Sequence, residues 1–176
     1  MKIVLVLHKY GVPLADPCCF PLGFLGVSSV LKQAGHDVKI LNYNLWDYDF
    51  SNEISGVDAV LFTGFEEFDG KNRGFAFLCK ERGIRAVLGG ALATFDTENQ
   101  THYFDAVVVG EGEVAVLKAL TEDGVHRMPV PSIDFLPYPD YEGFGIAEYH
   151  KRNPIKHIGV LTSRGCPHRC TFCSHA

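Results

Sequence analysis

No apolar run in this 176-residue sequence is long enough to cross a membrane. The longest purely apolar stretches, such as Ile3 to Leu7, fall far short of the roughly 20 residues a spanning helix needs. That run also lacks the length and cleavage pattern of a secretory signal peptide, so no membrane role is expected and the cytoplasm is the expected compartment. Internal repeats of short period and low-complexity tracts are missing too. Acid is missing from one end. Residues 150–176 carry Lys151, Arg152, Lys156, Arg164 and Arg169 with no Asp or Glu, whereas residues 1–149 hold 11 Lys and Arg against 21 Asp and Glu. A basic tail suits nucleic acid or a solvated face. Here it coincides with three closely spaced cysteines, whose thiolates would attract it, and nucleic acid is not expected as a partner. With 47% hydrophobic and 21% charged residues, the chain should fold as one globular domain plus an extension.

Six cysteines in a chain of this kind do not make a disulfide framework. Cys79 falls in a helical pattern and reads as a small core residue. Cys18 and Cys19 are adjacent, where a disulfide is strained. The other three, Cys166, Cys170 and Cys173, are close together near residue 176.

Strand and helix signals alternate over the first two-thirds. Lys2–Leu7, Asp37–Asn42, Asp58–Thr63, Arg85–Leu88 and Asp105–Val109 read as five short strands. Between them, Phe24, Val27, Leu31 and Ala34 follow helical spacing after Pro21 and stop at Gly35; residues 69–83 and 112–120 give further helices. Continuous apolar strands separated by helices need a parallel sheet covered on both faces, and right-handed crossovers make it doubly wound. Ligands on such sheets bind beyond the carboxyl ends of the strands. Residues 125–155, with Pro129, Pro131, Pro137 and Pro139, read as a linker. Lys156–Thr162 then reads as a new strand.

Cys166-Pro-His-Arg-Cys170-Thr-Phe-Cys173 has the spacing C-x3-C-x2-C. Three thiolates on one short loop can hold three irons of a [4Fe–4S] cluster and leave the fourth open, which a catalyst needs. A Cys3His zinc site using His168 or His175 is the alternative. The stretch Thr162-Ser-Arg-Gly-Cys-Pro-His-Arg-Cys-Thr-Phe172-Cys resembles the signature of the radical SAM superfamily. That resemblance implies that S-adenosylmethionine chelates the open iron and is cleaved to a 5′-deoxyadenosyl radical. It also implies a cofactor contact from Phe172, an electron donor such as flavodoxin or ferredoxin, and a chain that stops after the first strand and cluster loop of a barrel.

Upstream, Pro21-Leu-Gly, Gly35-His-Asp, Gly89-Gly90-Ala-Leu-Ala-Thr and Val109-Gly-Glu-Gly-Glu113 resemble, in this order, the cobalamin-binding domain fused to many radical SAM enzymes. Asp134-Phe-Leu-Pro-Tyr-Pro-Asp140 resembles the linker to the barrel. The implied fold is flavodoxin-like: a cobalamin domain over 1–124, a linker over 125–155 and the start of a radical SAM domain over 156–176. Thr63, Gly64, Gly89, Gly90, Gly110 and Glu111 end strands at the ligand edge and are the candidate cobalamin contacts. Missing side chains there let a bulky ligand lie against backbone.

Two tempting motifs carry less. Gly110-Glu-Gly-Glu-Val-Ala115 fits a dinucleotide fingerprint, but it stands in the last βα unit rather than the first. No strand with a ribose-binding acid is expected to follow, and Glu111 and Glu113 would repel a pyrophosphate. His8 and Gly11 match the Asp-x-His-x-x-Gly loop by which other cobalamin domains ligate cobalt, but Val6 stands where the orienting aspartate belongs. A ligating histidine normally needs such a partner, so cobalamin is expected to bind without a histidine–cobalt bond. The sequence thus points to the cobalamin- and cluster-binding part of a radical SAM enzyme, a methyltransferase or a catalyst of related radical carbon chemistry. A stand-alone cobalamin carrier and a flavodoxin-like nucleotide or regulatory domain with a zinc loop are the alternatives.

Overall fold

β1, Lys2–Leu7, is buried along nearly all its length. Its side chains alternate, so Ile3, Leu5 and Leu7 join one core cluster while Val4 and Val6 join another on the opposite face. A strand apolar on both sides belongs inside a sheet that helices cover twice. The computed structural model, which describes residues 1–9, 20–153, 157–165, 168, 170 and 171, places it there. β2 (Asp37–Asn42), β3 (Ala59–Phe62), β4 (Arg85–Leu88), β5 (Ala106–Val108) and β6 (Gly124–His126) follow. The spatial order is β2-β1-β3-β4-β5-β6, with every neighbouring pair parallel. The sheet is doubly wound, with its switch point between β1 and β3. It has six strands among the described residues where the sequence suggests five. β6 is an edge strand of three residues with Val125 as its one large apolar side chain, too short to show a period.

The helices start and stop where local chemistry directs. α1 (Leu22–Gln33) ends at Gly35, whose φ of +84° lets the Gly35 and His36 N–H groups return to Lys32 O and Leu31 O. Asp49 caps α2 (Phe50–Glu53). α3 (Asp69–Glu81) closes at Gly83 as α1 does at Gly35. α4 (Gly90–Phe95) and α5 (Thr97–Gln100) lead from β4 towards β5, and α6 (Gly112–Ala119) leaves β5. α1 and α6 cover the face carrying Ile3 and Leu5, while α3 and α4 cover the other.

The proline-rich stretch is partly docked rather than extended. α7 (Tyr141–Phe144) and α8 (Ile146–Arg152) insert Phe144 and Tyr149 into the core on the α1 side. Asp140 caps α7 through the Gly143 N–H (2.9 Å), accepts from Ser28 Oγ (2.6 Å) and pairs with Lys32 (2.7 Å), both of the latter on α1. The strand expected over Lys156–Thr162 is not formed by His157–Thr162. A strand exists through its ladder, and no neighbour stands beside this segment among the described residues. Side contacts hold it instead. Tyr141 Oη donates to Gly159 O (2.6 Å) and His150 Nε2 to His157 O (2.9 Å).

Candidate functional site

The carboxyl ends of β3, β4 and β5 and the first turns of α1 and α6 enclose a cavity of about 720 Å³. Leu61, Val87 and Val108, one from each strand, point into it from the sheet, and Phe24, Val27 and Val116 face it from the two helices. Such a mainly apolar cleft is in the size range of small-molecule sites.

Space exists there because the residues that end the strands are small. Thr63, Gly64, Gly89, Gly90, Gly110 and Glu111, the six described residues that the sequence singles out for the cofactor, all line this one cavity. The glycines are not equivalent. Gly90 has φ +83°, and a Cβ on it would lie 2.6 Å from Thr63 Oγ1, so the turn itself requires glycine. Gly89 has extended backbone at φ −137°, and its Cβ would meet only Val108 Cβ at 3.9 Å. Its missing side chain leaves room in the cavity without serving the turn.

Several lining groups escape sequence reasoning. Phe65 and Phe95 stand at the rim, each 58% exposed. Thr94 Oγ1 donates to Gly90 O (2.9 Å) and accepts from the Gly110 N–H (3.1 Å), tying the ends of β4 and β5 together. Leu161, Ser163, Arg164 and Gly165 close one side. The Arg164 guanidinium donates to Glu113, which is 1% exposed, and through Nη1 to Glu111 Oε1 (3.3 Å). The Glu113 hydrogen bond is the main reason its pKa lies above the ordinary arginine value. Glu111 Oε2 also accepts from the Val130 N–H (2.8 Å), so both of its oxygens have protein partners. The acid-free tail and the Gly-Glu-Gly-Glu turn hint at such a pairing, but nothing local in sequence joins residues 51 apart.

The glycine spacing of 110–115 finds a packing explanation. A Cβ on Gly112 would lie 2.9 Å from Val27 Cγ2, so this glycine lets α6 approach α1. The strand that follows, β6, is absent from the five the sequence suggests, but Gly124-Val125-His126 supplies no acid.

His8 continues the alternation of Val4 and Val6 and so faces away from the cavity. Its Nε2 donates to Asn72 Oδ1 (2.8 Å) on α3, and its ring packs on Phe68 and Phe75 at 5.3 and 5.5 Å. Burial is the main cause of a pKa below 6.5, keeping the ring neutral. Cys79 is fully buried, with its thiol pushed up to about 12 by burial, as an inert core residue should be.

Of the cysteine motif, Cys170 is exposed, while Cys166, Cys173 and Phe172 lie outside the described residues. Among the described residues, no three His, Cys, Asp or Glu side chains gather to hold a metal. None of the described helices is long and apolar enough to cross a membrane.

Comparison with known proteins bears on this geometry. An uncharacterized methyltransferase of Pyrococcus horikoshii is 29% identical over 217 residues, covering 99% of this chain and 45% of its own length. The bacteriochlorophyllide d C-8(2)-methyltransferase of Chlorobaculum tepidum is 27% identical, covering 85% of this chain and 34% of its own. The anaerobic magnesium-protoporphyrin IX monomethyl ester cyclase of Synechocystis is 26% identical, covering 87% and 37%. The chain therefore spans less than half the length of these relatives. Residues 14–120, which include every glycine of the cavity up to α6, match the B12 binding domain, and the chain belongs to that family.

Proposed function

We propose that this chain is the cobalamin- and [4Fe–4S]-binding portion of a radical SAM enzyme that methylates carbon or performs related radical carbon chemistry. The observation that carries the reading is the cavity of about 720 Å³ at the strand ends, lined by small residues and apolar walls. A whole corrinoid exceeds that volume, but a nucleotide tail suits it, with the corrin across the Phe65 and Phe95 rim. Gly64, Gly89, Gly90 and Gly110 would give the tail bare backbone, and Thr63 and Thr94 hydroxyls. His8 stays on the other face with Asn72. When bound, cobalamin supplies a cobalt centre that carries a methyl group or exchanges an electron. The cysteine triad Cys166, Cys170 and Cys173 would hold the cluster, whose open iron would take S-adenosylmethionine, with flavodoxin or ferredoxin as electron donor.

Two measurements on the chain test this. Hydroxocobalamin should be retained on gel filtration with a corrin absorption spectrum. Anaerobic reconstitution with iron and sulfide should load about four irons, and Ala at any one of the three cysteines should abolish loading. Retained zinc instead of iron would overturn the cluster. Cobalamin without iron would leave a stand-alone carrier.

A further inference from the structure

The contact between Arg164 and the paired glutamates has a use beyond holding the chain together. We propose that Arg164 is a positioning residue that fastens the segment leading into Cys166 across the mouth of the cobalamin cavity, so that cofactor binding and seating of that segment reinforce each other. This rests on the cobalamin reading of the cavity.

Three observations converge. Glu113 is 1% exposed at the first turn of α6 and packs beside Gly26 of α1, where a Cβ would lie 2.9 Å from Glu113 Oε1. A carboxylate so enclosed is costly unless a cation reaches it, and Arg164 does. The same guanidinium reaches Glu111, whose other oxygen holds the Val130 N–H, so one cation joins the β5–α6 turn, the start of the proline-rich stretch and the cysteine-bearing segment. Leu161, Ser163, Arg164 and Gly165 then line the cavity themselves. A ligand filling that cavity touches the segment, whose His157 and Gly159 are held by His150, Tyr149, Tyr141 and Phe20, while beyond them Val160 and Leu161 are 69% and 46% exposed and Arg164 makes the ion pairs with Glu111 and Glu113. A wall that loose on its own gains order from the ligand, and the ligand gains affinity from a wall already seated. The effect must be reciprocal.

Hydrogen exchange of residues 157–165 in the full chain, with and without hydroxocobalamin, reads the coupling directly. Cobalamin should slow exchange there severalfold. Arg164→Gln and Glu113→Gln should each remove most of that slowing and weaken cobalamin about tenfold, and the double variant should be no worse than the weaker single one. Arg164→Lys, which keeps the charge, should restore part of both. Far-UV circular dichroism and the unfolding midpoint identify any variant that fails to fold, in which case the Lys variant alone decides. Uptake of cobalamin with unchanged exchange, or faster exchange because the segment is displaced, overturns this inference and leaves the cobalamin reading standing. Failure of the unaltered chain to take up cobalamin overturns both.

Discussion

Gly89→Leu separates a cavity that binds a ligand from one that merely happens to be there. Gly89 has extended backbone, so a side chain adds no strain, and its first carbon would meet only Val108 at 3.9 Å. Three small terms then set the stability of the free protein. Reduced freedom of the unfolded chain contributes about 0.4–1 kcal/mol of stability. Filling apolar space adds about 0.5–2 kcal/mol. Replacing glycine by leucine at the N-cap of α4, where no side-chain cap bond exists to lose, costs on the order of 1 kcal/mol. Together they give between no change and a gain of about 2 kcal/mol. The urea midpoint should not fall, and Tm should rise by no more than about 8 °C. A ligand occupying the same space meets the new side chain, and overpacking of this kind costs about 1–3 kcal/mol, or roughly 5- to 150-fold in Kd. Gly90→Ala provides the contrast: with φ +83° and Thr63 Oγ1 at 2.6 Å, it should destabilise the free protein by more than about 1 kcal/mol. Hydroxocobalamin titration followed by absorbance, beside urea unfolding of each variant, measures both. If Gly89→Leu binds cobalamin as the unaltered chain does, the cavity is not where the cofactor goes.

Three further outcomes follow from the same geometry. His8→Ala should leave the cobalamin spectrum and affinity unchanged while costing about 1–3 kcal/mol of stability, because Asn72 loses its buried partner; a shifted spectrum would make His8 a ligand. The His8 pKa is lower in the folded protein than the ordinary 6.5, so the unfolded chain binds the proton more readily. The stability from a neutral His8 is therefore complete above about pH 6.5 and lost as pH falls from there to the folded pKa, a slope that His8→Asn should remove from urea midpoints. Burial pushes the Asp140 pKa up, but Lys32, Ser28 and the Gly143 N–H outweigh it and hold it below its usual value. Asp140→Ala should cost about 1–3 kcal/mol in urea unfolding and expose α7 and α8 to protease first.

Strands β1, β3, β4 and β5 are legible in the sequence because each centres on a continuous apolar run, and β2 because Val38, Ile40 and Leu41 follow the Gly35 stop of α1; four of the five run into the Gly, Thr or Asn of a turn. The cavity glycines are legible for the same reason, since strand ends are where a doubly wound sheet binds. β6 is not legible: one valine between Gly124 and His126 has no period, and only the free edge of β5 turns it into a strand. The reverse occurs at His157–Thr162, where β-branched residues suggest a strand but no neighbour among the described residues supplies a ladder. α7 and α8 hide behind prolines, although Asp140 before Tyr141-Glu142 is a recognisable N-cap. Arg164 and Glu113 meet only through tertiary structure, which no local pattern encodes.

β6 also decides what the sheet does at its border. A foreign strand laid along it would find a ladder of three residues, and Pro129 and Pro131 just beyond have no N–H to offer. Val125 is half exposed, yet so short an edge gives an aggregating neighbour almost nothing to hold. The strand thus works as a stop: among the described residues the sheet ends there, and copies of the protein crowded together find almost no template on that side from which to grow a continuous sheet.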